Sequence, residues 1–370
     1  MIKVLELIDG GFLGGGQTHL LSIANNINRK IYNITICASP EGEFKNVVLN
    51  SNHRFIDINL PKIYRSSCLK NLLKITENNN FNLIHSHGGV AGVYARFLKK
   101  KLSSIKVIHT FHGIHYINSK NIFRKYFSKK IEQHLVPYTD KFICVSDHDF
   151  QTAIENKITD GEKTVVIKNG IDTKKFSGKE KDKELMTLLG INNKNIIIGN
   201  ISRFDYQKNQ RFLIHSFKEV LIKNPEVKLL LVGDGTYLNE CKILAKNLGI
   251  SEQTIFTGEI PDVENYYPLI DIFVFPSLWE GLSIGLLEAM SSGRCIIASD
   301  ITSNRELIKN NFNGILFTLQ DESNLINIID NLITDKLKRN ELSKNAEKEA
   351  KNYDEKEMII KIENIYKHSN

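Results

Sequence analysis

Residues 275–293 read FPSLWEGLSIGLLEAMSSG. They continue an apolar run, Ile272–Phe275, that is short enough for a buried strand. Pro276 stops the run. Gly281 and Ser283 then open a helix whose body is Ile284–Met290, closed by Gly293. A strand that turns into a helix leaves free backbone N–H groups at the end of a sheet, and these suit an anion such as a diphosphate. Two carboxylates bracket the position, Glu280 just before the helix and Glu288 within it. Phosphates repel carboxylates, so these two suit neutral hydroxyls of a sugar or a ribose. Taken alone, they also read as a first-turn acid favoured by the helix dipole and a glutamate on a helix surface.

The same strand–turn–helix theme extends in both directions. Strands are expected at Ile2–Ile8, Asn33–Ala38, Arg54–Asp57, Leu83–His85, Lys106–Thr110, Lys141–Val145 and Thr164–Ile167, with a helix over Gln17–Ile27. The pattern pauses at Asn169-Gly170-Ile171-Asp172, and the lysine-rich stretch 173–183 reads as a linker. Strands resume at Asn195–Ile201, Lys228–Val232, Thr254–Phe256, Ile272–Phe275, Cys295–Ala298 and Gly314–Phe317. Charged helices over Asp335–Lys351 and Glu355–Lys367 finish the chain. Alternation of this kind predicts α/β architecture with parallel sheets. The expectation is two doubly wound Rossmann-like domains facing across a cleft, 1–172 and 173–354, with 355–370 as a helix crossing back to the first.

A chain of 370 residues has room for two such domains, and 41% hydrophobic with 25% charged residues is a soluble, globular composition. The opening Met-Ile-Lys-Val runs straight into a strand, so no signal peptide is expected. No apolar run approaches the roughly 20 residues that span a bilayer. Cys37, Cys68, Cys144, Cys241 and Cys295 are scattered without a CxxC pair and read as reduced thiols of a cytoplasmic protein. Charge is uneven: residues 1–170 hold 23 Lys and Arg against 13 Asp and Glu, while the remainder holds 26 against 29. The basic first part suits an acidic partner.

Two loops carry further chemistry. Asp9-Gly10-Gly11-Phe12-Leu13-Gly14-Gly15-Gly16-Gln17 lies between a strand and a helix, and its glycines let backbone approach a phosphate. A dinucleotide loop would need GxGxxG and an acid ending the second strand, yet that strand ends Cys37-Ala38-Ser39-Pro40. In the later part, Arg203 and Lys208 follow the strand that ends at Ile201. A planar fork and a point cation suit a diphosphate, although a solvated loop would also carry them.

Glu280 and Glu288, inside Phe-Pro-Ser-x-x-Glu-Gly…Glu-Ala-Met…Gly, make this chain resemble the family 4 retaining glycosyltransferases, which have the GT-B fold. The resemblance runs over nearly the whole chain. Ser202-Arg203…Lys208-Asn209, Gly233-Asp234-Gly235, Phe256-Thr257-Gly258, Gly14-Gly15-Gly16-Gln17, Thr110-Phe111-His112-Gly113, Val145-Ser146 and Asn169-Gly170-Ile171-Asp172 also carry it. Many members have Glu where this chain has Gln17. The resemblance implies that Arg203 and Lys208 hold the donor diphosphate and that Glu288 binds ribose hydroxyls. It implies that Glu280, Gly281 and the backbone of Leu282, Ser283 and Ile284 hold the sugar, and that backbone near Ile260 meets the base. Gly15 would sit by the sugar phosphate, with Gly14, Gly16, Gln17 and His87 on the acceptor side. His112 would face sugar and acceptor, and His112, Glu280, Arg203 and Lys208 form the implied catalytic set.

No cofactor is expected beyond the nucleoside-diphosphate sugar, a UDP-sugar by the look of the segment around His112. Two cations and a helix N-terminus can stabilise charge on the leaving phosphate without a metal. Asp147-His148-Asp149 could instead hold one, but Ser146 reads as an N-cap with Asp149 at the third helical position. His109, His112 and His115 lack a Cys or carboxylate at ligand spacing. His85 and His87 are expected to line the same cleft. In 121–136, Phe123, Phe127 and Ile131 share a helix face beside Arg124, Lys125, Lys129 and Lys130, and Lys99-Lys100-Lys101 adds charge. That helix either packs on its own sheet or lies on anionic lipid at the inner face of the cytoplasmic membrane. The expected partners are therefore a nucleotide-sugar donor, a glycan or lipid-linked acceptor and an anionic membrane surface. No base-reading module suggests nucleic acid. A sugar-nucleotide epimerase and an inactive nucleotide-sugar-binding homologue remain as alternatives.

Overall fold

The computed structural model describes residues 1–118 and 121–368, with the side chains of His115 and Asn118 left out. The chain forms two compact units. One comprises Met1–Gly170 and the C-terminal helix Glu355–His368. The other is Ile171–Asp354.

The first unit is built on strands β1 (Ile2–Ile8), β2 (Tyr32–Ala38), β3 (Arg54–Asp57), β4 (Leu83–His87), β5 (Lys106–Phe111), β6 (Lys141–Cys144) and β7 (Thr164–Val166). They form a parallel sheet in the order β3-β2-β1-β4-β5-β6-β7. Alternation along each strand gives the sheet two faces. On one face, Val4, Ile8, Leu83, Ile108 and Ile143 meet Leu20, Ile23 and Ala24 of the helix Gly15–Asn26 and Met358, Ile359, Ile362 and Tyr366 of the C-terminal helix. On the other, Leu5, Leu7, Ile84 and Val107 meet Leu69, Leu72, Ala91, Tyr94 and Leu98 from the helices Ser66–Asn79 and Gly89–Lys101. The final helix is thus part of the first unit's core. Ser22 Oγ donates to Glu355 at 2.6 Å, and the backbone N–H of Asn28 donates to Glu363 at 2.7 Å.

The second unit repeats the plan with β8 (Ile196–Ile201), β9 (Val227–Val232), β10 (Thr254–Phe256), β11 (Ile272–Phe275), β12 (Cys295–Ser299) and β13 (Ile315–Phe317). Their order is β10-β9-β8-β11-β12-β13, again parallel. Strand order reverses between β1 and β4 in the first sheet and between β8 and β11 in the second. Loops leaving the carboxyl ends of strands at such a reversal diverge and open a crevice.

The stretch 173–183 is not a linker. The chain passes between units at Gly170–Ile171. Asp172 caps the short helix Thr173–Phe176 by accepting from the N–H groups of Lys174 and Lys175. Thr173 also bonds Asp354 at 2.8 Å, and its carbonyl accepts from Ser291 at 3.0 Å. A lysine-rich composition looked like solvated chain, whereas the Asp cap and those bonds build it into the second unit. The cysteines are unpaired, and Cys37, Cys144, Cys241 and Cys295 are buried. Burial pushes the thiols of Cys37 and Cys295 up to about 12.

Candidate active site

In the second unit, the candidate donor residues come from the loops after β8 and β11, which are neighbours in the sheet. Those two loops are tied together. Gln207 donates to the Trp279 carbonyl at 2.7 Å, the Leu278 N–H to the Gln207 carbonyl at 2.8 Å, and Asn209 to the Pro276 carbonyl at 3.3 Å. Lys208 Nζ donates to Glu280 Oε1 at 2.6 Å and lies 5.0 Å from the centroid of the Phe275 ring. Arg203 pairs with Asp205 at 2.6 Å through a guanidinium that is half exposed. Asp205 also accepts from the backbone N–H of Lys208 at 3.0 Å, so one carboxylate shapes the turn that carries both cations.

Gly233 and Gly235 serve this turn at close range. A Cβ at Gly233 would fall 2.2 Å from the Ser202 carbonyl oxygen, and one at Gly235 would fall 2.3 Å from that of Phe204. Both have positive φ, +131° and +149°, which side chains rarely adopt. The loop after β9 can therefore lie against the backbone of Ser202–Phe204, with the Phe204 N–H on the Asp234 carbonyl at 2.8 Å. Ile260 is half-buried in the loop after β10, which joins this set through the Gly233 N–H on the Gly258 carbonyl at 2.9 Å.

The helix after β11 runs Ile284–Ser291, with Ser283 as N-cap accepting from the Leu286 N–H at 3.3 Å. Gly281, Leu282, Ser283 and Ile284 are buried at its start. Glu288 lies one turn in, and the Tyr267 hydroxyl donates to it at 2.8 Å. Burial raises the Glu288 carboxyl to about 7; the Tyr267 bond and Lys175 oppose this, and Glu264 adds to it. Nothing in the sequence reading singled out Tyr267, which arrives from a tight turn before β11.

In the first unit, the glycine-rich segment is shorter as a loop than its composition suggested. The helix begins at Gly15, with Gly14 as an extended N-cap at φ −173°. Nothing lies within 4 Å of a Cβ built on Gly15, whereas one on Gly16 would approach Ile8 at 3.3 Å and the His112 ring at 3.7 Å. Gln17 is turned inward and donates to the Gly10 carbonyl at 3.1 Å. His112 is half-buried beside this helix start.

His87 does not line a cleft. It is fully buried, because β4 runs two residues further than the apolar pattern indicated. Both of its ring nitrogens are taken, Nε2 by Glu6 at 2.7 Å and Nδ1 by His112 Nε2 at 3.0 Å. His85, also fully buried, bonds Tyr366 at 2.6 Å and Thr110 at 2.7 Å, and the Tyr366 hydroxyl donates to Glu6 at 2.5 Å. Parallel pairing puts Glu6 opposite His85 and His87 opposite Thr110, so all four point to one face. His19 stands edge-on to His112, with ring centroids 4.8 Å apart.

Burial raises the Glu6 carboxyl, but His85 and His87 outweigh it and hold Glu6 well below the usual carboxylate range. Burial lowers His87 to about 4, with His85 adding to the effect against Glu6. Burial and the neighbouring histidines push His19 and His112 well below the usual imidazole value. The imidazoles of His19, His87 and His112 are therefore neutral at pH 7.

The three-histidine segment does not converge. His109 points to the opposite face, bonding Ser86 at 3.0 Å and packing so closely that a Cβ on Gly92 would fall 2.3 Å from its ring. The side chain of His115 lies outside the described ones. Two other groups have ligand atoms within 4.8 Å of one another, His19 with His87 and His112, and Glu6 with His85 and His87. Both pass through His87, whose ring nitrogens already hold hydrogen bonds. Asp147 pairs with Lys168 at 2.8 Å, while Asp149 donates its N–H to the Ser146 cap at 3.0 Å and accepts from the Ile114 N–H at 3.2 Å.

The helix Ile122–Leu135 is fixed by its polar side. Glu132 pairs with buried Arg96 at 2.7 Å, and Lys129 bonds Asn156 at 3.1 Å. Its apolar residues Ile122, Phe123, Tyr126, Phe127 and Ile131 are exposed, Phe123 by 78%. The alternative of an apolar stripe packed on its own sheet is thus set aside. Among the described residues no helix is long and apolar enough to cross a membrane.

Two parallel Rossmann-like units, each with candidate loops at its strand-order reversal, define the GT-B class of glycosyltransferase. Models of "Glycosyltransferase Family 4" and "Glycosyl transferases group 1" match residues 13–175 and 181–349. The chain belongs to the family 4 glycosyltransferases. It is 29% identical to the Escherichia coli UDP-Gal:alpha-D-GlcNAc-diphosphoundecaprenol alpha-1,3-galactosyltransferase, over 83% of this chain and 81% of that one. It is 32% identical to the Streptococcus pneumoniae alpha-monoglucosyldiacylglycerol synthase, over 66% of this chain and 58% of that one. In fold it resembles Anabaena HepE, crystallised in complex with UDP-glucose, with a TM-score of 0.86 at 22% identity over the full length of both.

Proposed function

We propose that this glycosyltransferase moves a hexose or N-acetylhexosamine from a UDP-sugar to a lipid-linked glycan in cell-surface polysaccharide synthesis, with retention at the anomeric carbon. The observation that carries the reading is the Lys208–Glu280 pair, 2.6 Å apart just ahead of the Ser283-capped helix. A diphosphate would take Lys208 and Arg203 from their carboxylates. Glu280, released, would accept from sugar hydroxyls, and the N–H groups of Leu282, Ser283 and Ile284 would meet negative charge. Glu288 and backbone near Ile260 would hold ribose and base. Gly15 would meet the sugar phosphate, Gly14, Gly16 and Gln17 would lie on the acceptor side, and His112 would face sugar and acceptor, with His87 behind His112 instead of touching the acceptor. Negative charge then builds on the leaving phosphate against two cations and a helix terminus, which supports turnover without a divalent metal.

Relatives acting on an undecaprenyl diphosphate and a diacylglycerol support a lipid-borne acceptor. The exposed apolar strip at Phe123 and Phe127, with four cations on the same helix, supports a peripheral seat on anionic lipid at the inner face of the cytoplasmic membrane. The test is a calorimetric panel of UDP, GDP and their sugars, followed by transfer assays on lipid-diphosphate sugars. Tight UDP-sugar binding and a product with the donor's anomeric configuration are expected. Preference for GDP, or epimerised donor without acceptor, would overturn the reading.

A further inference from the structure

The hydrogen bonds around Glu6 form a chain in which the charge on Glu6 sets the direction from His87 to His112. Ionised Glu6 can only accept. It accepts from Tyr366 O–H at 2.5 Å and from His87 Nε2–H at 2.7 Å. Tyr366, having given its proton to Glu6, must accept from His85 Nδ1–H at 2.6 Å, and His85 Nε2 bonds the Thr110 hydroxyl at 2.7 Å. Neutral His87 with its proton on Nε2 has a lone pair on Nδ1. The atom facing it, 3.0 Å away, is His112 Nε2, which must therefore carry a proton. In neutral His112 this leaves Nδ1 bare, and among the described residues no group bonds that atom.

The geometry points to Glu6 and His87 as positioning residues that lock His112 in the Nε2–H form, so that Nδ1, the nitrogen left without a partner, is a hydrogen-bond acceptor on a ring whose Cδ2 edge lies beside Gly16. The ligand group meeting it is a donor, a sugar or acceptor hydroxyl, and not a phosphate oxygen. This rests on the proposed transferase reading only for the identity of that hydroxyl. The tautomer itself follows from Glu6, whose burial in the sheet and contact with two histidines keep it ionised.

The experiment is ring-nitrogen NMR on the full-length protein labelled with 15N-histidine at pH 7. In wild type, His87 and His112 should both show protonated Nε2 and unprotonated Nδ1. Glu6→Gln should invert both. Its carboxamide oxygen would stay with Tyr366, so its NH2 would face His87, forcing the proton to Nδ1 of His87 and then of His112. Tyr366→Phe removes one hydroxyl but leaves the carboxylate on His87, so both tautomers should stay as in wild type. In transfer assays Glu6→Gln should lower kcat about 10- to 100-fold, the effect of leaving a hydrogen-bonding group opposed, with donor KM within about twofold.

A protonated Nδ1 on His112 in wild type would overturn the assignment, even if no variant folds. So would unchanged tautomers in Glu6→Gln, or ring shifts displaced by added Zn2+, which would make the histidines a metal site. Absence of transfer from any UDP-sugar, with the tautomers as expected, would count against the proposed reaction alone.

Discussion

Both units carry pairs of charged and polar groups at a strand-order reversal, but they hold them differently. In the first, Glu6, His85, His87 and Tyr366 are fully buried and bonded to one another. In the second, Arg203 stands half exposed on Asp205, while Lys208 and Glu280 are largely buried, with 17% and 8% of their side chains exposed. A buried network with every partner present is rigid, and breaking one member leaves the others desolvated and unpaired. A pair near water exchanges partners at low cost. On the proposed reading, the difference separates positioning from binding: the first unit would fix a side chain, and the second would keep cations ready for an arriving anion. Outside the sites the units also differ. Residues 1–170 and 355–370 together hold 26 Lys and Arg against 16 Asp and Glu, whereas 171–354 holds 23 against 26.

The largest expected effect tests that outer contrast. Changing Arg124, Lys125, Lys129 and Lys130 to Gln should lower binding to anionic vesicles by roughly 10²–10³-fold, at about 1 kcal/mol per cation. Co-sedimentation at low and high salt measures it. Wild type that ignores anionic vesicles at low salt would make a soluble acceptor the better reading. Next, Lys208→Ala and Arg203→Ala should each weaken UDP binding about 10- to 100-fold by titration calorimetry, since a charge-assisted bond contributes about 1.5–3 kcal/mol. Unchanged affinity in both would erase the distinction between the units.

A smaller effect concerns Glu288. Its carboxyl is raised to about 7 in the folded protein, from an ordinary 4.5. Between those values the folded chain holds a proton that the unfolded chain releases, so the stability this group contributes falls as pH rises through that window. Glu288→Gln should flatten that part of the Tm–pH curve, and parallel curves for the two proteins would mean Glu288 titrates normally. The smallest effect should be none: turnover in EDTA is expected to match that in Mg2+. Loss restored only by Mg2+ or Mn2+ would reopen Asp147 and Asp149 as ligands.

The fold was legible because strand and helix alternate with clear stops, such as Pro276 after Phe275 and Gly293 after the helix Ile284–Ser291. The second unit's loops were legible because their chemistry is local: Arg203 to Lys208 and Glu280 to Glu288 each span a few residues. The network around Glu6 was not. Its members lie at positions 6, 85, 87, 110, 112 and 366, joined only by sheet register and by the last helix. A signal was present, since Glu6 is the one acidic residue inside the apolar run Ile2–Ile8. A carboxylate buried in a central strand must find partners, and His85 and His87, two apart, show one face of the neighbouring strand. His87 was misplaced because the apolar pattern ends at Ile84 while the hydrogen-bonded strand continues. Tyr267 left no trace, because a turn delivers it to Glu288.

The C-terminal helix gives the order of synthesis a physical meaning. Met358, Ile359, Ile362 and Tyr366 belong to the first unit's core, and Tyr366 supplies the proton that Glu6 accepts. A ribosome therefore delivers β1 with its carboxylate at the start and the hydroxyl that satisfies it some 360 residues later. The second unit, whole in sequence from Ile171 to Asp354, can close first. The nascent first unit must wait with an open apolar face and with Glu6 held by its histidines but lacking the Tyr366 hydroxyl, which makes it the stage at which chaperones would be needed.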